Sequence, residues 1–451
     1  MMSSTTSFEF SGYDVDKIKG EFRFHYTLSF ADAVPILFTE AICLPNSQSR
    51  LETLPQNLLE NILDSLHLTL GISYWKTYCP RELKLKTITL SKEQADFWNT
   101  VYIKGMGEFY YKNQIDFRDL VSFPFSDKPA ASPTSINFKN RSLVAIGGGK
   151  DSIVTAELLK SNQKEFSAFT LGRHPIQEET ITLLDVLSIN IDRKIDPQLF
   201  ELNKKEDVYN GHVPISTIYH FVGVLAAALY DYRYLVFSNE RSSNYGNTTY
   251  LGQEINHQVS KSFEFENLIQ EYIQTFISPD VTPFSLLRPL HEIKIAEIFS
   301  RYQKYFPLFS SCNRNFKIRN QSEMIQRWCG ECPKCAFIFC LLAAFLPKEE
   351  VISIFQKDLF AQDSLIGIYK DLLGLGEVKP FDCVGTPEET QLAFYLANQK
   401  GDYHDEPAMK MFLAEVLPNL TKVEKIKSDL MSVSSEHLVP EEFLGVFKNL
   451  E

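Results

Sequence analysis

Three stretches of this chain bring together residue types whose spacing permits chemistry. The first is SLVAIGGGKDSIVTAELL, Ser142 to Leu159. A short apolar strand runs into Gly147, Gly148 and Gly149, and helix-period residues resume after Lys150, Asp151 and Ser152. Glycines let the backbone turn tightly, and a helix starting just beyond them aims several N–H groups and its positive end at one point. That arrangement is an anion cradle suited to phosphate. It fits neither a Walker A loop nor G-x-G-x-x-G, because Ser152 stands where the third glycine belongs. The plainer alternative is a strand-to-helix turn capped by Asp151 or Ser152.

The second stretch is a run of thiols. Cys312, Cys329, Cys332 and Cys335 are spaced C-x16-C-x2-C-x2-C, with Gly330 and Pro333 permitting tight turns between them. Four thiolates at about 2.3 Å make a closed tetrahedral zinc site, which ties loops together and leaves no position open for catalysis. An iron–sulfur cluster would use the same ligands. Four of the eight cysteines crowd into this run, and in a reducing compartment such crowding favours metal over disulfide. Cys340 follows within the apolar run Phe337 to Phe345 and reads as core.

The third is polar: SNERSSNYGNTTYLGQEINHQVSKSFEFE, Ser238 to Glu266, directly after a strand-like YLVFS. It offers Asn239, Glu240, Arg241, Asn256, His257, Gln258, Ser260 and Lys261, and the carboxyl end of a parallel strand is where α/β sheets bind ligands. Glu240, His257 and Lys261, with Cys383 in PFDCVGT, have the chemistry of proton shuttles. Cys383 comes first because it lies outside the thiol run, and a thiol near neutral pKa can act as base on one face and acid on the other. The alternative for Cys383 is a buried structural thiol. In RPLHEIKIAEIF, His291 and Lys294 could add positive charge beside a phosphate.

The elements that must position these groups follow from periodicity. Gly20 to Phe30 alternates as a half-buried strand and Leu54 to Leu66 carries helix-period apolar residues, so residues 1–135 are expected to form an N-terminal α+β domain. SDKPAASPTS, Ser126 to Ser135, reads as a linker. Residues 136–311 then alternate strands (Ser142 to Ile146, Phe166 to Leu171, Tyr234 to Ser238) with helical segments (Ile153 to Lys160, Thr217 to Ala228), which is the signature of a parallel sheet with crossover helices. Residues 312–346 hold the cysteine knot and an apolar helix, and residues 347–451 read as a helical C-terminal region. From Gly401 on, ten acids against five lysines suggest a solvated helical cap. The fold class is therefore α/β.

Composition bounds the partners. Lys plus Arg number 45 against 57 Asp plus Glu, a net charge of −12, with 23% of residues charged and 44% apolar, as in a folded globular protein. So acidic a body repels nucleic acid, and a broad nucleic-acid surface is not expected. The start lacks a basic segment followed by an apolar one, and the longest apolar runs, Phe221 to Tyr230 and Ala336 to Leu346, fall short of a membrane span, so a cytoplasmic protein without a membrane segment is expected.

The loop Gly147-Gly148-Gly149-Lys150-Asp151-Ser152 resembles that of the PP-loop ATP pyrophosphatases (adenine nucleotide alpha hydrolase-like fold), with Gly in place of the more frequent first Ser. The resemblance implies that ATP is split between its α and β phosphates, that the loop grips pyrophosphate, and that AMP passes to a carboxyl or carbonyl oxygen. It implies Mg²⁺, with Asp151 the carboxylate best placed to help hold it, and adenine and ribose near Gly172 and Arg173. A similar cysteine knot occurs in the 7-cyano-7-deazaguanine synthases of this superfamily. The set GGGKDS, HVP, SNE, NHQ-x-SKS, RPLHE-x-KIAEIF, CGECPKC and KPFDCVGT resembles the UDP-N-acetylmuramoyl-L-alanyl-L-glutamate epimerases. That resemblance implies a UDP-linked muramoyl dipeptide as substrate and a role in peptidoglycan synthesis, hence in cell-wall biogenesis, cell shape and division. ATP would adenylate the α-carboxylate of L-Glu, acidifying the α-proton so that it can be removed and returned on the other face. A deazaguanine-type ligase and a non-enzymatic adenine-nucleotide sensor stand as alternatives.

Overall fold

The computed structural model describes residues 5–127, 132–314, 326–448 and 450. Among these, the strands in chain order are β1 Thr5–Asp16, β2 Glu21–Phe30, β3 Ile36–Cys43, β4 Glu82–Leu85, β5 Ser142–Ala145, β6 Phe166–Leu171, β7 Ser188–Lys194, β8 Tyr234–Phe237, β9 Thr248–Tyr250, β10 Gln253–Ile255 and β11 Thr282–Ser285. All except the β9–β10 hairpin belong to one sheet, ordered β11-β8-β5-β6-β7-β3-β2-β1-β4.

Strands β11, β8, β5, β6 and β7 are parallel; the sequences of β5, β6 and β8 place apolar residues on both faces, whereas β7 keeps Ile189 and Ile191 on one. Because side chains alternate, Leu143, Phe169 and Leu235 enter one core while Val144, Ala168 and Val236 enter the other. The first core takes the helices Gln56–Trp75, Ile215–Tyr230 and Phe263–Phe276, and the second takes Lys150–Ser161, Glu292–Phe299 and Pro333–Ala343. β5 lies at the middle of the parallel half, with β6 and β7 to one side and β8 and β11 to the other. The chain direction of the crossovers reverses there, and a crevice opens beyond the carboxyl ends of β5 and β8.

The N-terminal segment does not stand apart. β3 pairs antiparallel with β7, Ala41, Ile42 and Cys43 facing Lys194, Arg193 and Asp192. Across that seam, Arg193 Nε donates to the buried Glu40 carboxylate at 2.6 Å, and Tyr74 Oη donates to its other oxygen at 2.7 Å. A buried carboxylate held this way is paired and fully hydrogen-bonded. In β2 the buried Phe22, Phe24, Tyr26 and Leu28 alternate with the more exposed Glu21, Arg23, His25 and Thr27, and the helix Gln56–Trp75 lies on the buried face. Gly71 permits that approach, since a Cβ there would come within 2.4 Å of the Phe10 ring. The boundary expected near residue 135 therefore falls inside a continuous sheet and core. Residues 128–131 of the expected linker lie outside the described residues, and Thr134 N donates to Ile277 O at 3.0 Å.

The C-terminal region is helical, and its last fifty residues do more than cover the surface as a solvated cap. Met409, Phe412, Leu430, Phe443, Val446 and Phe447 are buried in the second core, and the Phe443 ring sits 5.0 Å from both Tyr234 and Phe284. The net charge of the segment counts only the outer faces, whereas the helical spacing of its apolar residues decides the packing. No helix among the described residues is long and apolar enough to cross a membrane.

Candidate active site

The glycine loop leaves β5 and enters the helix Lys150–Ser161 with Gly149 at its N-cap. Gly148 has φ +82°, and a Cβ there would lie 2.5 Å from the Ile176 side chain, so only glycine fits. Its N–H donates to Ser152 Oγ at 3.2 Å, and its carbonyl accepts from Ser310 N at 3.2 Å, which seats the loop against the Ser310–Ser311 strap. A cavity of about 310 Å³ opens there. Gly147, Gly149, Asp151 and Ser152 form one wall, Ser238, Asn239 and Glu240 from the end of β8 form another, and Tyr219, Phe237, Lys261 and Ser311 close it. It is the size of a small-ligand site and lies at the crevice between β5 and β8.

Gly172 and Arg173 do not line this cavity. They follow β6, on the far side of β5 from the crevice, and the exposed Arg173 faces Asp192 at 3.5 Å. The aromatic surface beside the loop comes from Tyr219 and Phe237 instead. His291 and Lys294 also turn elsewhere: His291 lies 3.9 Å from Glu389, and Lys294 pairs with Glu297 at 2.8 Å.

Lys150 points inward. Its side chain is fully buried and its ammonium donates to the carboxylates of Asp151 and Glu292. Burial opposes the charged form of Glu292, but Lys150 and Lys334 outweigh it and hold the carboxyl down to about 2. Glu240 goes the other way: burial, then Glu292 and Asp151, push its carboxyl up to about 7.

The second cluster is built on Cys383. Lys261 Nζ donates to its sulfur at 3.3 Å, and His257 Nε2 lies 3.7 Å from it. His257 Nδ1 meets Glu108 Oε2 at 2.5 Å, and His212 Nδ1 reaches the same oxygen at 3.3 Å, while Lys112 holds the other oxygen at 2.5 Å. Burial alone would raise the Cys383 thiol, but Lys261 and His257 bring it down to about 5. Burial likewise opposes a charged His257, yet its bonds to Cys383 and Glu108 lift it to about 9, and Glu108 itself, despite burial, is held down to about 2 by His257 and His212. The neutral-pH state is thus a thiolate beside an imidazolium.

Backbone clamps hold this cluster. Asn247 Oδ1 accepts from His257 N at 2.7 Å while its Nδ2 donates to Lys379 O and Pro380 O at 3.2 and 2.8 Å, and Gln258 Nε2 donates to Val384 O at 3.1 Å. The polar segment after β8 is thereby stitched to the segment that carries Cys383. Buried Arg288 donates to Glu240 O at 2.6 Å, Glu266 Oε2 at 2.7 Å and Lys261 O, so the backbone at both Glu240 and Lys261 is fixed. Lys261 both lines the cavity and touches Cys383, joining the two clusters.

The thiol run converges as its spacing predicts. The sulfurs of Cys312, Cys329, Cys332 and Cys335 all lie within 4.8 Å of one another, with Cys332–Cys335 at 3.5 Å and Cys329–Cys335 at 3.6 Å, and none forms a disulfide. A tetrahedron with 2.3 Å metal–sulfur bonds has edges of about 3.8 Å, so the donor set fits one ion. Cys340 is buried in the helix Pro333–Ala343, its thiol directed at Thr390 O at 3.9 Å, apart from this quartet.

Residues 1–286 match the family profile described as the MurL N-terminal domain, and residues 308–427 match the MurL C-terminal domain. The chain belongs to the MurL epimerase family. It is 34% identical over 401 residues to the UDP-N-acetyl-alpha-D-muramoyl-L-alanyl-L-glutamate epimerase of Xanthomonas oryzae pv. oryzae, covering 89% of this chain and 88% of that one. The protein of the same name from Micromonospora sp. is 35% identical over 438 residues, 96% of each chain, and that of Salinispora tropica 34% over 411 residues, 91% of this chain and 89% of that one.

In this family member Glu240 and Lys261 line the cavity at the glycine loop, and Cys383 and His257 join them through Lys261, as the candidate shuttles of the sequence. Residue type and spacing do not point to Glu108, Glu292 or Lys334. Glu108 sits in a short helix with Lys112 four residues on, which reads as an ordinary surface pair. Glu292 lies between His291 and Lys294, and only its first-turn position on the helix Glu292–Phe299 aims it at the loop.

Proposed function

We propose that this protein inverts the terminal L-Glu of UDP-N-acetylmuramoyl-L-Ala-L-Glu to D-Glu through an acyl-adenylate, as a PP-loop enzyme of peptidoglycan synthesis. The observation that carries this reading is Lys261, which lines the cavity at the glycine loop and also donates to the Cys383 thiolate. A nucleotide-sized crevice and a proton-transfer group meet at one side chain.

The chemistry balances in four steps. The α-carboxylate attacks the α-phosphorus of ATP, the α–β bridging bond breaks, and pyrophosphate leaves. The acyl-adenylate no longer carries the carboxylate charge that resists a neighbouring carbanion, so the Cys383 thiolate removes the α-proton, with the Lys261 ammonium beside the developing enolate. A proton returns on the opposite face, and water cleaves the anhydride to D-Glu product and AMP. Glu240, partly protonated near neutrality, is the carboxyl on the cavity wall suited to that return. Asp151, with phosphate oxygens, would hold Mg²⁺, whose charge offsets that of the leaving pyrophosphate. The cysteine quartet would hold a structural zinc. The nucleotide substrates place the reaction in the cytoplasm. The deazaguanine-type and sensor readings leave the Cys383–His257–Glu108 chain without a task.

Incubation with ATP, Mg²⁺ and UDP-N-acetylmuramoyl-L-Ala-L-Glu, followed by chiral analysis of the glutamate, tests this. D-Glu and AMP are expected. ADP as product would refute the pyrophosphatase chemistry, and AMP without inversion would refute the epimerase. Asp151→Ala should abolish AMP formation while the protein remains folded, since its side chain is partly exposed and Lys150 keeps Glu292 as partner.

A further inference from the structure

A buried run of contacts joins the glycine loop to the segment of Cys383. Lys150 donates to Asp151 and to Glu292 Oε2; Lys334 Nζ lies 3.4 Å from Glu292 Oε1 and donates to the backbone carbonyl of Cys383. The side chains of Lys150, Glu292 and Lys334 are 0%, 1% and 5% exposed. Each oxygen of Glu292 takes a different lysine, so the carboxylate cannot turn without releasing one of them. Lys150 differs in this from a phosphate-binding lysine: it is absent from the cavity wall and spends its charge inward.

We propose that Glu292 and Lys334 are positioning residues that set Cys383 in register with the nucleotide loop, Glu292 holding both lysines and Lys334 holding the Cys383 carbonyl. This rests on the adenylating-epimerase reading above. Its physical basis is the steep dependence of proton transfer on placement: the acyl-adenylate is anchored by the loop, and the thiolate must meet its α-proton from a different segment of chain. The two lysines and two carboxylates, Asp151 and Glu292, sum to zero charge, which lets the tie pass through the interior.

Lys334 is the informative position, because its loss releases the Cys383 carbonyl while leaving Lys150 paired at the loop. In Lys334→Met, ATP–pyrophosphate exchange should stay within about twofold of the unmodified protein, whereas deuterium incorporation at the glutamate Cα should fall by about tenfold or more, the scale expected when a reacting group is displaced by a fraction of an ångström. Lys334→Arg, which can still span the carboxylate and the carbonyl, should recover most of the exchange. Glu292→Gln should depress both reactions. Melting temperature and metal content are recorded for each variant. A proportional fall in both reactions in Lys334→Met, or no fall in either, would overturn the proposal. Loss of folded protein in both Lys334→Met and Lys334→Gln would assign the residue to the fold and overturn it as well. Absence of pyrophosphate exchange in the unmodified protein would instead refute the adenylation reading on which the proposal rests.

Discussion

At neutral pH the half-buried imidazolium of His257 and the ammonium of Lys261 hold Cys383 as a thiolate, and Glu108 holds the imidazolium. With the thiol down to about 5 and the imidazole up to about 9, the pair is intact between those values. Deuterium exchange at Cα should therefore rise with pH through about 5, as the thiol ionises, fall through about 7, as Glu240 loses the proton it returns, and fall again in an alkaline limb through about 9, as the imidazolium is lost. Glu108 raises His257, so Glu108→Gln should move the alkaline limb to lower pH; an unmoved limb would remove Glu108 from the relay. Cys383→Ser should slow Cα exchange by about a hundredfold or more while sparing pyrophosphate exchange, because a serine hydroxyl is too weak an acid to replace the thiol. Of this cluster, residue type alone points to Cys383, His257, Lys261 and Glu240. Glu108 carries no such signal: it is one of 57 acids, and its histidine is 149 residues away in the chain.

The elements that hold these residues are legible where burial is one-sided or where a short apolar run is bounded by turns. β6 spans Phe166–Leu171, the same bounds its apolar run indicates, and the alternation of β2 matches its burial. The helix expected over Leu54 to Leu66 runs on to Trp75, because residues 67–75 are buried on every side and so lose the period that marks an amphipathic helix. Which segments the thiol run ties together is visible only in three dimensions. Cys312 follows the Ser310–Ser311 strap at the cavity, and Cys332 and Cys335 begin the helix Pro333–Ala343. About one zinc per chain is expected, and Cys312→Ser should lower both metal content and melting temperature, since a closed site contributes folding free energy directly. Iron with visible absorbance would replace zinc by a cluster; metal-free protein purified without chelator would contradict both.

At the scale of the whole molecule, the sequence pattern separates an N-terminal α+β segment from a parallel sheet, and the structure fuses them. Periodicity reports which faces are buried but not what buries them; the β3–β7 seam and the Glu40–Arg193 pair depend on partners about 150 residues apart. The chain should accordingly unfold in one calorimetric transition. A fragment of residues 136–451 should fail to fold, because β7 loses its neighbour, the largely covered Arg193 loses Glu40, and the first core loses the helix Gln56–Trp75. A cooperative melt from that fragment would contradict the shared core. The site is equally shared: Glu108 comes from the N-terminal segment, Lys261 and His257 from the polar stretch after β8, and Cys383 from beyond the cysteine quartet.

In the proposed reaction one cavity and one thiolate carry out adenylation and inversion in sequence on the same glutamate. The most direct measurement is the reaction of UDP-N-acetylmuramoyl-L-Ala-L-Glu with ATP and Mg²⁺ in D₂O, counting AMP, D-Glu and deuterium at Cα together. One AMP per inverted centre, with solvent deuterium at the Cα of the D-Glu product, is the predicted result. Inversion without AMP, or AMP released with Cα still protonated and in the L configuration, would contradict it.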